Sequence, residues 1–131
     1  MSGRLEHKRV LITGASRGIG FGIARAFAAQ GADLVLNARD QGRLDEAARE
    51  LRDTTGVNVD VATCDVTDAA GVEQMVAAAF DGKTVDVLVN NAGVYKPQPF
   101  VDYTMEDFRD VFDVNVFAVI HLTQLVVRKM L

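Results

Sequence analysis

With 131 residues, 49% of them hydrophobic and 24% charged, the chain has enough apolar content to bury a core and too much to stay disordered. A net charge of -4 without a basic cluster argues against nucleic acid or an anionic membrane surface as the main partner, and leaves small molecules. The single cysteine, Cys64, rules out an internal disulfide, and the polar start Met1 to Lys8 has no signal-peptide core, so a reducing, cytoplasmic setting is expected.

The strand-like run Lys8 to Ile12 leads into Thr13-Gly14-Ala15-Ser16-Arg17-Gly18-Ile19-Gly20, which opens an amphipathic helix. Gly14 permits a tight turn, Gly18 and Gly20 let a ligand's phosphates approach the backbone, and unpaired amides at the helix start face the anion. On a strand-turn-helix unit this cradle suits a dinucleotide. Its spacing is Gly-x-x-x-Gly-x-Gly, not the common Gly-x-Gly-x-x-Gly. Ile19, Ile23 and Phe27 carry the helix, Gln30-Gly31 ends it, and Asp33 to Asn37 reads as a buried parallel strand.

Leu44, Ala47, Ala48 and Leu51 line one side of a second helix, whose charges, Arg43 among them, read as a solvated face. Thr55-Gly56 closes it and Val57 to Ala62 alternates as a third strand. Thr67-Asp68 offers an N-cap to a helix bearing Val72, Met75, Val76, Ala79 and Phe80, with Met75 as core filling; Val85 to Val89 makes a fourth strand. Strands alternating with helices predict a parallel sheet covered on both faces, with no repeat or linker.

Thr104 to Asp107 has the form of a capping box that opens a last helix. From Phe108 to Leu131 that helix is apolar on more than one face and receives no stop signal. Three earlier helices on a four-strand sheet cannot surround it, so further structure is expected to cover it.

Thr13-Gly-x-x-x-Gly-Ile-Gly20, together with Asn90-Asn91-Ala92-Gly93, resembles the short-chain dehydrogenase/reductase family. The resemblance runs from about Lys8 to Leu131 and covers only the N-terminal half of a family-type protein. It implies a Rossmann-type α/β fold, a doubly wound parallel sheet in three α/β/α layers with strand order 3-2-1-4, incomplete relative to the family. Residues 1–131 then form one truncated NAD(P)-binding domain. The implied reaction is hydride transfer between a nicotinamide and a carbonyl or alcohol carbon. The family's catalytic tyrosine stands four residues before a lysine, but Tyr95 is followed by Pro99 and Tyr103 by Asp107, so neither fits. The resemblance puts the family's catalytic serine, tyrosine and lysine beyond Leu131, and the chain alone is not expected to transfer hydride efficiently.

By the same resemblance Asn115 matches the family's catalytic asparagine, an amide that positions water for a proton relay. It falls on the apolar stripe of the last helix, where a buried amide needs hydrogen bonds; the plainer reading is an asparagine bonded to nearby backbone. Asn90, Ala92 and Gly93 line the cofactor at the carboxyl edge of the sheet, while Asn91 ties strand four to strand one near Thr13; the plainer reading is an Asn/Gly turn. Asp65 and Val66 match the pair that contacts adenine, with a turn aspartate as the alternative. The phosphate cradle supplies Gly14, Ser16, Arg17, Gly18, Ile19 and Gly20.

Cofactor choice turns on Asn37-Ala38-Arg39-Asp40. Arg17 and Arg39 suit a 2′-phosphate and favour NADP; Asp40, one residue further on, is the sign for NAD, which is the less favoured choice. His7 and His121 have no ligand partners at metal-binding spacing, so no metal is expected. Cys64 reads as a small buried hydrophobe, and Lys96 as a solvated loop residue rather than a substrate contact. The surplus apolar face of the last helix fits the helix through which members of that family associate, so the resemblance implies a homo-oligomer. One alternative is a non-catalytic dinucleotide-binding module that senses cofactor or pairs with another chain. Another, a nucleoside-cofactor transferase, leaves Asn90 to Gly93 and Asn115 unexplained.

Overall fold

Along the first strand the side chains alternate between two apolar clusters: Val10 and Ile12 join one, Leu11 the other, and all are 0% exposed. A strand hidden on both sides belongs inside a parallel sheet covered by helices. The computed structural model, which describes residues 3–131, has that arrangement. Strands β1 (Arg9–Ile12), β2 (Asp33–Ala38), β3 (Val59–Thr63) and β4 (Val87–Val89) are parallel, in the order β3-β2-β1-β4 that the family resemblance implies. Ile12 sits between Leu36 and Val89, and β3 joins with Leu34 beside Val59.

Helices α1 (Gly18–Ala29) and α2 (Gln41–Thr55) cover one face of the sheet, bringing Ala24, Ala28, Leu44 and Leu51 against Val10, Ile12 and Leu36. On the other face α3 (Ala69–Ala79) brings Val72 and Val76 against Leu11 and Val35. Fully burying a Val, Leu or Ile side chain contributes about 1.5–3 kcal/mol, so these clusters rather than helix propensity hold the layers together.

The termini of the elements follow local chemistry. Asp40 Oδ1 accepts from Arg43 N–H at 3.1 Å to cap α2, and Gly56 ends that helix in the left-handed region at φ 74. The expected Asp68 cap is only half formed. Asp68 has the extended backbone of an N-cap, but its side chain accepts no cap bond, and Asp65 closes the preceding turn instead by accepting from Thr67 N–H at 2.9 Å. Strand β4 is shorter than expected. The chain ahead of it is held by side chain as well as backbone, with Arg9 N–H donating to Asp86 Oδ2 at 2.9 Å.

Helices α4 (Met105–Phe112) and α5 (Ala118–Met130) run on through a π-helical turn, Asp113–Phe117, as one helix of 26 residues. The capping box is present, Asp107 N–H bonding Thr104 Oγ1 and Thr104 N–H bonding Asp107 Oδ2, each at 3.0 Å. Leu122 and Val126 seat α5 on the sheet beside α3. Phe112, Phe117 and Ile120 stay 50%, 60% and 50% exposed, so the uncovered apolar face foreseen in the sequence is there. An 18-residue stretch of this helix has a mean hydropathy of 1.5, long and apolar enough to cross a membrane by length and composition, a description that core helices of soluble folds also meet.

Candidate functional site

The carboxyl ends of β1, β2 and β4 open into a cleft of about 560 Å³. Its floor is tied by Thr13, a side chain 2% exposed. Thr13 Oγ1 accepts from Asn91 N–H at 3.0 Å and Ala92 N–H at 2.9 Å, and Thr13 N–H donates to Val89 C=O at 3.1 Å. Asn91 Nδ2 donates to Gly14 C=O at 3.0 Å, so the residue ties strand four to the glycine loop. A Cβ on Gly14 would stand 3.0 Å from Ala92 Cα.

The loop from Gly14 to Gly18 forms the first wall. Ala15 N–H donates to Asn37 C=O at 2.8 Å, and Phe21 N–H to Arg17 C=O at 3.3 Å. The amides at the start of α1 ahead of Phe21 lie in the unpaired first turn of a helix, where an anion is favoured. Gly18 has φ +59, and nothing lies within 4 Å of where its Cβ would be, so a ligand can reach that backbone.

Arg17, Arg39 and Arg43 gather at the mouth. Arg43 pairs with Asp40 at 3.9 Å, and neither Arg17 nor Arg39 is in an ion pair among the described residues. On the third side are Cys64, Asp65 and Val66. Asp65 accepts from Thr67 N–H at 2.9 Å and Thr67 Oγ1 at 2.8 Å; the Thr67 amide, then the Thr67 hydroxyl and last the Arg39 charge, hold its carboxyl below the usual carboxylate value. Burial pushes the Cys64 thiol up, against an opposing hydrogen bond from Asn37.

The fourth wall, Asn91 to Val94 with Val114, is braced by the last helix. Val94 N–H donates to Asn115 Oδ1, and Asn115 Nδ2 donates back to Val94 C=O, both at 2.8 Å. Lys96 Nζ lies 2.7 Å from Asp107 and 3.3 Å from Asp110, Gln98 Nε2 donates to Asp107 at 3.1 Å, and Tyr103 O–H donates to Lys96 C=O. Among the described residues no three His, Cys, Asp or Glu side chains form a group able to hold a metal ion.

A family model for short chain dehydrogenases matches residues 8–131. The chain belongs to the short chain dehydrogenase family. Gluconate 5-dehydrogenase of Gluconobacter oxydans is 39% identical over 128 residues, which cover 97% of this chain and 50% of that protein. L-sorbose reductase from Gluconobacter frateurii, solved in complex with NADPH and L-sorbose, superposes with a TM-score of 0.88 at 37% identity, covering 99% of this chain and 48% of that one. A short-chain dehydrogenase from Sphingobium yanoikuyae in complex with NADPH gives 0.81 at 42% identity over 91% of this chain and 46% of its own. The chain spans about half the length of the relatives it matches.

In this short chain dehydrogenase chain, Gly14, Ser16, Arg17, Gly18, Arg39, Asp65, Val66, Ala92 and Gly93 all line the one cleft. Four expected residues are placed differently. Ile19 is 78% exposed and outside the cleft, because it lies on the solvent side of the first turn of α1. Gly20 is a packing residue: its Cβ would fall 2.2 Å from Gly14 O and 2.4 Å from Asn91 Nδ2, so α1 could not approach the loop with any side chain there. Asn90 turns away, its Nδ2 donating to Thr123 Oγ1 on α5 at 3.0 Å. Asn115 is exposed rather than buried, and both its polar atoms are taken by Val94, so its side chain holds the wall.

The other side readings also shift. Cys64 is half-buried on the cleft wall rather than enclosed, and Lys96 is held in ion pairs rather than solvated. Two polar cleft residues escaped the sequence reading. Arg43 was absorbed into a charged helix face, although it stands one turn after Asp40 and so projects from the start of α2 toward the mouth. Asn37 passed as a strand residue; the available signal was a polar side chain inside the apolar run Asp33 to Ala38, now 1% exposed.

Proposed function

We propose that residues 1–131 are the dinucleotide-binding domain of an NADP-dependent short-chain oxidoreductase, which passes hydride between a nicotinamide and a carbonyl or alcohol carbon. The carrying observation is the cation cluster at the mouth: among the described residues Arg17 and Arg39 stand without ion pairs, while Asp40, the residue that would favour a free ribose 2′-hydroxyl, is engaged as the cap of α2. The NADPH complexes of the Gluconobacter frateurii and Sphingobium yanoikuyae relatives support this reading.

The residues present fit such a group. The α1 amides and Gly18 receive phosphate, the arginines a 2′-phosphate, and the wall at Asp65 and Val66 a base. When bound, the cofactor supplies the hydride chemistry. The chain's own residues bind and orient it: Thr13 and Asn91 set the floor, and Asn115 fixes the wall at Val94 beside it. The exposed Phe112, Phe117 and Ile120 support association between copies through the last helix.

The test is titration of the protein at its natural length with NADPH and NADH, followed by NADPH oxidation with a panel of carbonyl compounds. Tighter binding of NADPH with turnover is expected, and no binding of either nucleotide overturns the proposal. Binding without any NADPH oxidation would instead select a non-catalytic dinucleotide-binding module.

A further inference from the structure

Thr13 and Asn37 are the buried polar side chains of the described residues, and only Thr13 has a place in the proposed function so far. A polar amide 1% exposed is costly unless it is fully bonded. Asn37 is bonded on two sides of the cleft at once. Its C=O accepts from Ala15 N–H at 2.8 Å, within the loop that faces a phosphate. Its Nδ2 donates to Ala62 C=O at 3.0 Å and to Cys64 C=O at 3.2 Å.

The second bond matters because the sheet ends there. Strand β3 stops at Thr63, and the last backbone bond holding this segment to β2 is Cys64 N–H to Ala38 C=O at 3.2 Å. Asn37 reaches the carbonyl of Cys64 from the side, one peptide group before the wall residues Asp65 and Val66 begin.

We propose that Asn37 is the positioning residue of the cleft, fixing the Asp65 and Val66 wall at a set distance from the Ala15 to Gly18 loop so that one nucleoside phosphate can touch both. This rests on the cleft being a nucleotide site, as proposed above. An apolar residue here keeps the backbone bond to Ala15 and loses the side-chain bonds to Ala62 and Cys64, so it loosens one wall and leaves the other.

The experiment compares two probes on the protein at its natural length: 2′,5′-ADP, which spans loop and wall, and inorganic pyrophosphate, which reaches only the loop. Asn37→Val is expected to weaken 2′,5′-ADP about tenfold, from two lost hydrogen bonds, while pyrophosphate changes less than about twofold. Asn37→Thr keeps one donor and is expected to lose roughly threefold for 2′,5′-ADP alone. Should Asn37→Val fail to fold, the ratio of the two affinities in Asn37→Thr decides by itself. General destabilisation moves both probes together, so an equal loss, or no loss, overturns the inference while the proposed function stands. Failure of the unaltered protein to bind 2′,5′-ADP and NADPH overturns both.

Discussion

Asn115 and Val94 exchange two hydrogen bonds of 2.8 Å, so an asparagine side chain on the last helix pairs with the loop after β4 as a neighbouring strand would. The bonds arise where the helix widens into its π-helical turn, a distortion that re-aims side chains at functional sites. Asn115→Ala removes both and is expected to cost about 1–2 kcal/mol in urea unfolding. Local opening is the sharper readout: the Val94 amide should exchange with solvent faster than in the unaltered protein. An unchanged exchange rate would mean the loop is held by Lys96 alone.

Three glycines at the same helix start predict three different outcomes. A Cβ on Gly20 meets Gly14 O at 2.2 Å and Asn91 Nδ2 at 2.4 Å, both part of the cleft floor, so Gly20→Ala should cost about 1–3 kcal/mol or more through overpacking. Gly18→Ala meets nothing within 4 Å but sits at φ +59, so it should cost about 1–2 kcal/mol of stability and weaken nucleotide binding beyond that. Gly22 lies inside α1 with nothing within 4 Å, and Gly22→Ala should stabilise by about 0.5–1 kcal/mol. Thermal and urea unfolding of the three variants settle the order; a Gly20→Ala protein as stable as the parent would contradict the packing role.

At the mouth of the cleft, Arg39→Ala should weaken NADPH by about tenfold or more and leave NADH nearly unchanged, since a charge-assisted bond to phosphate contributes about 1.5–3 kcal/mol. Arg43→Ala should weaken NADPH less, because Asp40 at 3.9 Å offsets part of its charge. Asp40→Ala tests the other side of the argument. If Asp40 is only a cap, the change costs about 1 kcal/mol of stability and leaves the preference between the two nucleotides in place. A marked fall in NADH affinity would instead give Asp40 a ribose contact.

The two covered faces of the sheet and the glycine loop were legible because they rest on local patterns, the apolar run Val10 to Ile12, helical spacing in Leu44 to Leu51 and a closing glycine at Gly56, whereas the strand order followed from the family resemblance. What was not legible depended on where a side chain turns once the fold is assembled. Asn90 and Asn91 are adjacent and chemically identical, yet one bonds Thr123 on α5 and the other Gly14. Both lie just past the end of β4, where the chain leaves the sheet and their side chains turn to different elements. Lys96 looked solvated because its partners, Asp107 and Asp110, are supplied by a helix eleven and fourteen residues on. Gly20 shares a motif with Gly18, yet it faces Gly14 where Gly18, at φ +59, faces open space.

The outer face of the last helix carries Phe112, Phe117 and Ile120, at least half exposed, beside the seated Leu122 and Val126. Phe117→Asp adds a charge to that face without touching the seated residues. It should abolish self-association, read as a fall in mass by light scattering, with no loss of urea stability. A parent protein that is already monomeric at micromolar concentration would remove this reading of the face.

The acid limit of stability is set in part by Lys96 and Asp107, 2.7 Å apart. The Lys96 hydrogen bond first, then those from Thr104 and Gln98, hold the Asp107 carboxyl well below its ordinary 3.8, and Asp107 in turn raises the Lys96 ammonium above 10.5. A carboxyl lowered by folding stabilises above its unfolded value and loses that contribution as pH falls through its folded value. An ammonium raised by folding stabilises below its unfolded value and loses the contribution as pH rises through its folded one. The pair is therefore fully effective between about pH 5 and 9. Asp107→Asn keeps an acceptor for Thr104 and removes the charge. Its deficit in urea stability should be flat across that range, shrink as the pH falls below 3.8, and diminish in high salt, because the Lys96 side chain is 39% exposed. A deficit that grew in acid would mean that repulsion between Asp107 and Asp110, rather than attraction to Lys96, dominates the contact.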